Sequence, residues 1–170
     1  MTVTLAARTV ASMTKPTAVI VDVDGTLVDV SPVRHYLHDG KRDFESFHRA
    51  SVFCDVIAST RQAILAAHDA GHAVFVVTAR KAKYRHLTGR HLAESGVVFD
   101  DLLTRGDYDE RSDVEVKREL LALIRTTHDV AHAWDDNPHV VALWESEGIA
   151  VTVVPGWAAR DTDVYASSRA

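Results

Sequence analysis

The stretch that decides the fold runs from Ala18 to Thr26: Ala18-Val19-Ile20-Val21 leading into Asp22-Val23-Asp24-Gly25-Thr26. A short apolar run rich in β-branched residues reads as a strand buried on both faces, the kind found in parallel sheets. It stops on two carboxylates two positions apart. In extended backbone such residues point to the same side, so Asp22 and Asp24 face one site. Three similar runs follow at Ala73–Val77, Val130–Trp134 and Ile149–Val154, the last ended by Pro155-Gly156. A weaker fifth strand is predicted at Val97-Val98-Phe99, leading to Leu102-Leu103.

Helical periods fill the gaps. One runs from Asp55 to Ala70, with Ile57, Ile64, Leu65 and His68 on one side and Gly71 as its stop. Another spans Lys81 to Ser95, with a stripe of Tyr84, Leu87, His91 and Leu92, and Gly96 after it. Ser112-Asp113-Val114-Glu115 reads as a capping box opening a helix with Leu120, Leu121 and Ile124 inward. Asn137-Pro138 supplies an N-cap and a first-turn proline for a helix closed by Gly148. Strands alternating with helices predict an α/β fold, a doubly wound parallel sheet with helices on both faces.

One segment breaks the alternation. Residues 29–54 carry Arg34, His35, Tyr36, Phe44, Phe47 and Phe53 without a clear strand, predicting a small cap-like helical insert after the first strand. Residues 1–16 hold no acidic side chain and few large apolar ones, and are expected to be a disordered tail, with Met13 as an alternative start. Residues 17–156 then form one domain and 157–170 a second tail.

Composition narrows the function classes. With 170 residues, 46% of them apolar, folding buries roughly 70% of the unfolded surface, enough for a full core. Twenty-four acidic against 19 basic residues give a net charge of −5, which excludes a uniformly cationic nucleic-acid coat but not a local basic groove. Cys54 is the one cysteine, so neither an intrachain disulfide nor a multi-thiolate zinc site can form; a reducing, cytoplasmic setting is expected. No apolar run approaches the roughly 18 residues of a membrane span. The ten histidines show no metal-binding spacing.

The polar residues gather where strands stop, the ligand edge of an open α/β sheet. The second strand ends in Thr78-Ala79-Arg80 and the third in Asp135-Asp136-Asn137, while Lys117 lies just inside the capped helix. Two like charges about 4 Å apart repel by roughly 4 kcal/mol at an effective dielectric of 20. A divalent cation relieves that repulsion, and an all-oxygen set of aspartates suits Mg²⁺.

These residues, in this order, resemble the four motifs of the haloacid-dehalogenase superfamily of phosphohydrolases. A narrower resemblance, to the 3′-phosphatase domain of bacteriophage polynucleotide kinase-phosphatases, is carried by VVTAR (76–80), RGDYDERSDVEVKRE (105–119) and WDDNPHVVALWESEGI (134–149). It implies that Asp22 attacks phosphorus and forms an aspartyl-phosphate. Asp24 is then the acid and base, its proton affinity raised by the neighbouring carboxylates. Asp22, the Asp24 carbonyl, Asp135 and Asp136 serve Mg²⁺. Thr78, Lys117 and Arg80 donate to phosphate oxygens; Thr26 and Arg34 also stand on the substrate side, and Asp113 orients Lys117.

The expected function is a Mg²⁺-dependent phosphomonoesterase removing 3′-terminal phosphates from DNA or RNA. No GxxxxGK[ST] loop is present, which implies a free-standing phosphatase without a kinase half. The alternatives are a phosphatase of free nucleotides or other small esters, and a non-catalytic module binding phosphate or Mg²⁺. Expected partners are 3′-phosphorylated ends or nucleotides, not membranes; homo-oligomerisation stays open. The basic run 80–91 with Tyr84 reads either as a track for a nucleic-acid backbone with a stacking ring or as a solvated helix face. The acidic run 100–115 would repel a long polyanion, so a polymer presents only its end.

Overall fold

The computed structural model describes residues 15–38, 40 and 42–156. The tails expected at 1–16 and 157–170 lie outside the described residues, except for Lys15 and Pro16. Five strands form one sheet: β1 (Thr17–Val21), β2 (Ala73–Lys81), β3 (Asp101–Arg105), β4 (Asp129–Asp135) and β5 (Ala150–Val153). Their spatial order is β3-β2-β1-β4-β5 and every pairing is parallel. The chain thus starts in the middle and winds outward both ways. That is the doubly wound sheet expected from the alternation, and it puts a topological switch point at the carboxyl end of β1.

Each β1 side chain belongs to one of two cores. Val19 and Val21 join Val74, Val76 and Leu102 on the face covered by α2 (Ala58–Asp69) and α3 (Arg85–Glu94). Ala18 and Ile20 join Val77 and Ala133 on the face covered by α4 (Asp113–Ile124) and α5 (Pro138–Ser146). Burial on both sides explains the unbroken β-branched run. Among the described residues no helix is long and apolar enough to cross a membrane.

The punctuation behaves as its chemistry dictates. Ser112 and Glu115 form a reciprocal capping box on α4, and Asn137 caps α5 with Pro138 at its first position. Gly71, Gly96 and Gly148 follow their helices with φ of 90°, 73° and 75°, in the left-handed region that glycine enters without steric cost.

Two expectations need correction. Val97–Phe99 is a connecting segment and the strand is Asp101–Arg105; the apolar triplet packs under α3's core rather than joining the sheet. In α2 the inward face is Thr60 and Ile64, with Ala63 and Ala67 against the same core, whereas Leu65 and His68 are exposed. The insert is helical as expected: a 3-10 segment over Ser31–Tyr36, then α1 (Phe44–Ala50) and a short 3-10 turn, Ser51–Phe53. Val33, Leu37 and Phe47 seat it on the main core.

Candidate active site

At the carboxyl end of β1 the Asp22 amide donates to the Trp134 carbonyl (3.0 Å), extending the β1–β4 ladder by one residue and setting Asp22 beside Asp135. Lys117, buried on α4, reaches between them, with Nζ 2.7 Å from Asp22 Oδ1 and 2.8 Å from Asp135 Oδ2. Asp135 is further held by the Trp144 indole N–H (3.1 Å) and the Asn137 amide (3.1 Å). One cation shared by two carboxylates is a preorganised arrangement whose partners are all buried.

Burial disfavours charge on Lys117, but Asp135 and Asp22 outweigh it and raise the lysine above its ordinary value. For Asp22 burial comes first and raises it well above the usual carboxylate range, with Lys117 opposing and Asp135 and Asp136 adding to the rise. Asp136 is pushed up to about 7, by burial and then by Asp135, against Lys117 and Arg34. Too much negative charge is packed here for one lysine to offset.

Gly25, with φ of +85°, turns the chain away from the sheet, and a Cβ there would lie 2.0 Å from Asp136 Oδ2. Glycine is thus required by both backbone and space. Thr26 is fully buried, and its hydroxyl donates to Asp136 Oδ1 (3.3 Å) rather than facing the cleft as a substrate ligand. Arg34 comes to 4.0 Å of Asp136 Oδ2 and so belongs to this carboxylate's surroundings.

The largest departure from expectation concerns Arg80. Its buried guanidinium binds both oxygens of Asp24, at 2.9 Å from Nε and 2.5 Å from Nη2. It also donates to Thr88 Oγ1 (3.0 Å) and Ser51 Oγ (2.9 Å). Asp24 was expected to have its proton affinity raised by other carboxylates. Burial does act in that direction, yet the charge and hydrogen bonds of Arg80 outweigh it and lower the Asp24 pKa. Asp113 departs similarly. It pairs with Arg105 (2.5 Å), which also donates to the carbonyls of Ala79 (2.9 Å), Asp109 and Arg111, so Asp113 anchors the start of α4 while Lys117 bonds elsewhere.

Asp22, Asp24, Thr78, Arg80, Asp113, Lys117 and Asp136 line a single cleft of about 440 Å³. Thr26, Arg34 and Asp135 are not among the residues that line it. Its further walls are the insert, from Arg42 to His48, and the β3–α4 loop. Carboxylate oxygens of Asp22, Asp135 and Asp136 lie within 4.8 Å of one another, and Asp136 Oδ2 is buried without a hydrogen-bond partner. An orphaned buried carboxylate oxygen in an all-oxygen set fits a hard divalent cation such as Mg²⁺. The Asp24 carboxylate is committed to Arg80, so only its main-chain carbonyl remains to serve a metal.

The model of the polynucleotide kinase PNKP phosphatase domain matches residues 16–156. The chain belongs to that family. Its members are phosphatases of the haloacid-dehalogenase type, phosphoric monoester hydrolases by class. Among solved structures, a chain of the Pnkp1/Rnl/Hen1 RNA repair complex is 29% identical, with a TM-score of 0.69, covering 82% of this chain and 42% of that one. A second structure of a Pnkp1/Rnl/Hen1 complex is 26% identical with a TM-score of 0.70, over 88% and 51% of the respective chains. The present chain therefore spans about half or less of these relatives. A class C acid phosphatase from Bacillus anthracis shares the fold at 14% identity and a TM-score of 0.68, over 91% and 72%. No curated protein matches.

Three contributors escaped sequence reasoning. Arg105 stands at the end of a strand, where such residues are sought, but placing that strand at Val97–Phe99 hid it. Trp144 lies on the buried stripe of α5, and nothing in its spacing marks its indole nitrogen as an Asp135 donor. His48 lines the cleft from the insert, with its ring 4.9 Å from Tyr84. The stacking ring suggested at Tyr84 is in fact 5% exposed; its hydroxyl donates to Glu45 and Lys83 sits 4.8 Å over its face.

Proposed function

We propose that the protein is a Mg²⁺-dependent phosphomonoesterase that removes 3′-terminal phosphates from polynucleotides through an aspartyl-phosphate. The observation that carries this is the cleft shared by Asp22, Asp24, Thr78 and Lys117 in a chain of the PNKP phosphatase family.

An Asp22 oxygen attacks phosphorus, the P–O bond to the strand's terminal 3′ oxygen breaks, and Asp24 gives that oxygen a proton. Water then attacks phosphorus while Asp24 takes a proton from it, and the bond to Asp22 breaks to release phosphate. In the free cleft the Arg80 pairing keeps Asp24 ionised. An arriving phosphate dianion adds like charge beside it and favours the protonated form that the first half-reaction needs. Lys117 and the Thr78 hydroxyl stand ready to donate to phosphate oxygens. Asp22, Asp135, Asp136 and the Asp24 carbonyl would hold a Mg²⁺ ion, which would neutralise charge on phosphate and nucleophile.

The test is a panel of 3′-phosphorylated oligonucleotides, nucleoside 3′-monophosphates and glycerol phosphate, each with Mg²⁺ and with chelator. The oligonucleotides should give the highest kcat/KM, and chelator should abolish turnover. Far faster turnover of small esters would make this a small-molecule phosphatase instead. Asp22→Asn should lose turnover with an unchanged circular dichroism spectrum; retained turnover would rule out the covalent route.

A further inference from the structure

We propose that the exposed rings of Phe44 and Tyr108 are stacking platforms for the last two bases of a 3′-phosphorylated strand, so that the cleft selects a polynucleotide end over a small ester. This deepens the function proposed above and rests on it.

The insert wall of the cleft is aromatic. Phe44 opens α1 and lines the cleft, with the His48 ring 6.2 Å behind it and Tyr84 4.9 Å beyond His48. His48 and Tyr84 are buried, whereas Phe44 is 40% exposed, so it is the ring of that wall that a ligand can reach.

Tyr108 lies in the loop joining β3 to α4, whose Glu110 and Arg111 line the cleft, and is 99% exposed. An isolated exposed apolar side chain is ordinary. This one is set apart by its mount. The Asp107 carboxylate accepts the Lys83 amide (2.7 Å), the Asp109 amide donates to Gly106 (3.1 Å), and Glu110 binds Lys81 (2.5 Å). Arg105 holds the Asp109 and Arg111 carbonyls from beneath. Asp107 and Glu110 are thus tied to Lys83 and Lys81 of the cleft wall, while the tyrosine ring contributes almost nothing to packing. Side chains in that position cost no stability to keep or remove, and what a flat ring offers there is its face.

Charge leads to the same conclusion. The cations of the 80–91 run are each paired: Arg80 with Asp24, Lys81 with Glu110, Lys83 with Glu45, Arg85 with Asp101 and Arg90 with Glu94. In the acidic loop Asp109 pairs with Arg111 and Asp113 with Arg105. Base faces are uncharged and every base has one, so stacking recognises a strand end without a continuous cationic track. A cleft of about 440 Å³ lies within the range of roughly 300–1,000 Å³ typical of small-ligand sites, which suits one terminal nucleotide inside and the next at the rim.

The experiment compares wild type, Phe44→Ala, Phe44→Trp, Tyr108→Ala and Tyr108→Trp, with Mg²⁺, on glycerol phosphate, a nucleoside 3′-monophosphate and a 3′-phosphorylated pentanucleotide. Tyr108→Ala should raise KM about tenfold for the pentanucleotide alone, the loss of one base–aromatic stack. Phe44→Ala should raise it similarly for both nucleotides but not for glycerol phosphate, and the tryptophan variants should restore wild-type KM. Binding of 2-aminopurine pentanucleotides to Asp22→Asn protein should quench the probe at the last position through Phe44 and at the next through Tyr108. Unchanged pentanucleotide KM and unchanged quenching in either alanine variant overturns that platform. A wild-type enzyme that prefers glycerol phosphate instead overturns the function on which the platforms rest.

Discussion

Arg80 separates two ways in which a cation can serve a phosphatase. Bound to both oxygens of Asp24, it lowers the proton affinity of the residue proposed above as acid and base. Arg80→Gln should therefore shift the limb of the kcat–pH profile that reports Asp24 toward higher pH, because a lowering influence is gone. A mere phosphate ligand would raise KM and leave that limb in place. Losing one partner of a pair this buried should also cost about 3 kcal/mol, read from chemical denaturation. Gly25 gives a second test. Alanine there combines left-handed strain of about 1–2 kcal/mol with a methyl group 2.0 Å from Asp136 Oδ2. Gly25→Ala should lower Tm, and the rise in Tm expected on adding Mg²⁺ should be smaller than in the wild type.

The insert couples the cleft to pH through His48 on α1. Burial lowers this imidazole to about 4, with Asp24 opposing. A base with a depressed folded pKa takes up a proton in the unfolded chain first. Its contribution is therefore complete above about pH 6.5 and is lost as pH falls toward 4, by about 1.4 kcal/mol per unit and about 3 kcal/mol in all. His48→Phe should flatten the decline of stability between those limits, measured as the difference in unfolding free energy between variant and wild type. An equal slope in both proteins would show that other groups govern acid unfolding. The helix that carries His48 was legible only as a helical insert, since its aromatic residues follow no strand period and nothing local says which ring meets the cleft.

Taken together, the surface charges make a prediction about ionic strength. The basic run that could have tracked a backbone is matched cation by cation with acids, four from other segments and Glu94 from one turn along α3. Against a single strand each neutralised phosphate contributes about −0.7 to the slope of log affinity on log salt. The slope of log kcat/KM for a 3′-phosphorylated oligonucleotide should thus be no steeper than about −1. A steep slope would mean that these ion pairs open to receive the backbone. The sheet, its crossovers and the helix caps were readable beforehand, because a β-branched run, a capping box or an Asn-Pro start acts through neighbours a few residues away. So was the gathering of Asp22, Asp24, Thr78, Lys117 and Asp135 at one edge, which follows once parallel strands stop there. The partnerships were not. Arg80 meets Asp24 across 56 residues and Lys117 meets Asp22 across 95, and those distances exist only after folding. Coulomb attraction and desolvation depend on separation and burial in space, so which carboxylate keeps its proton was decided there.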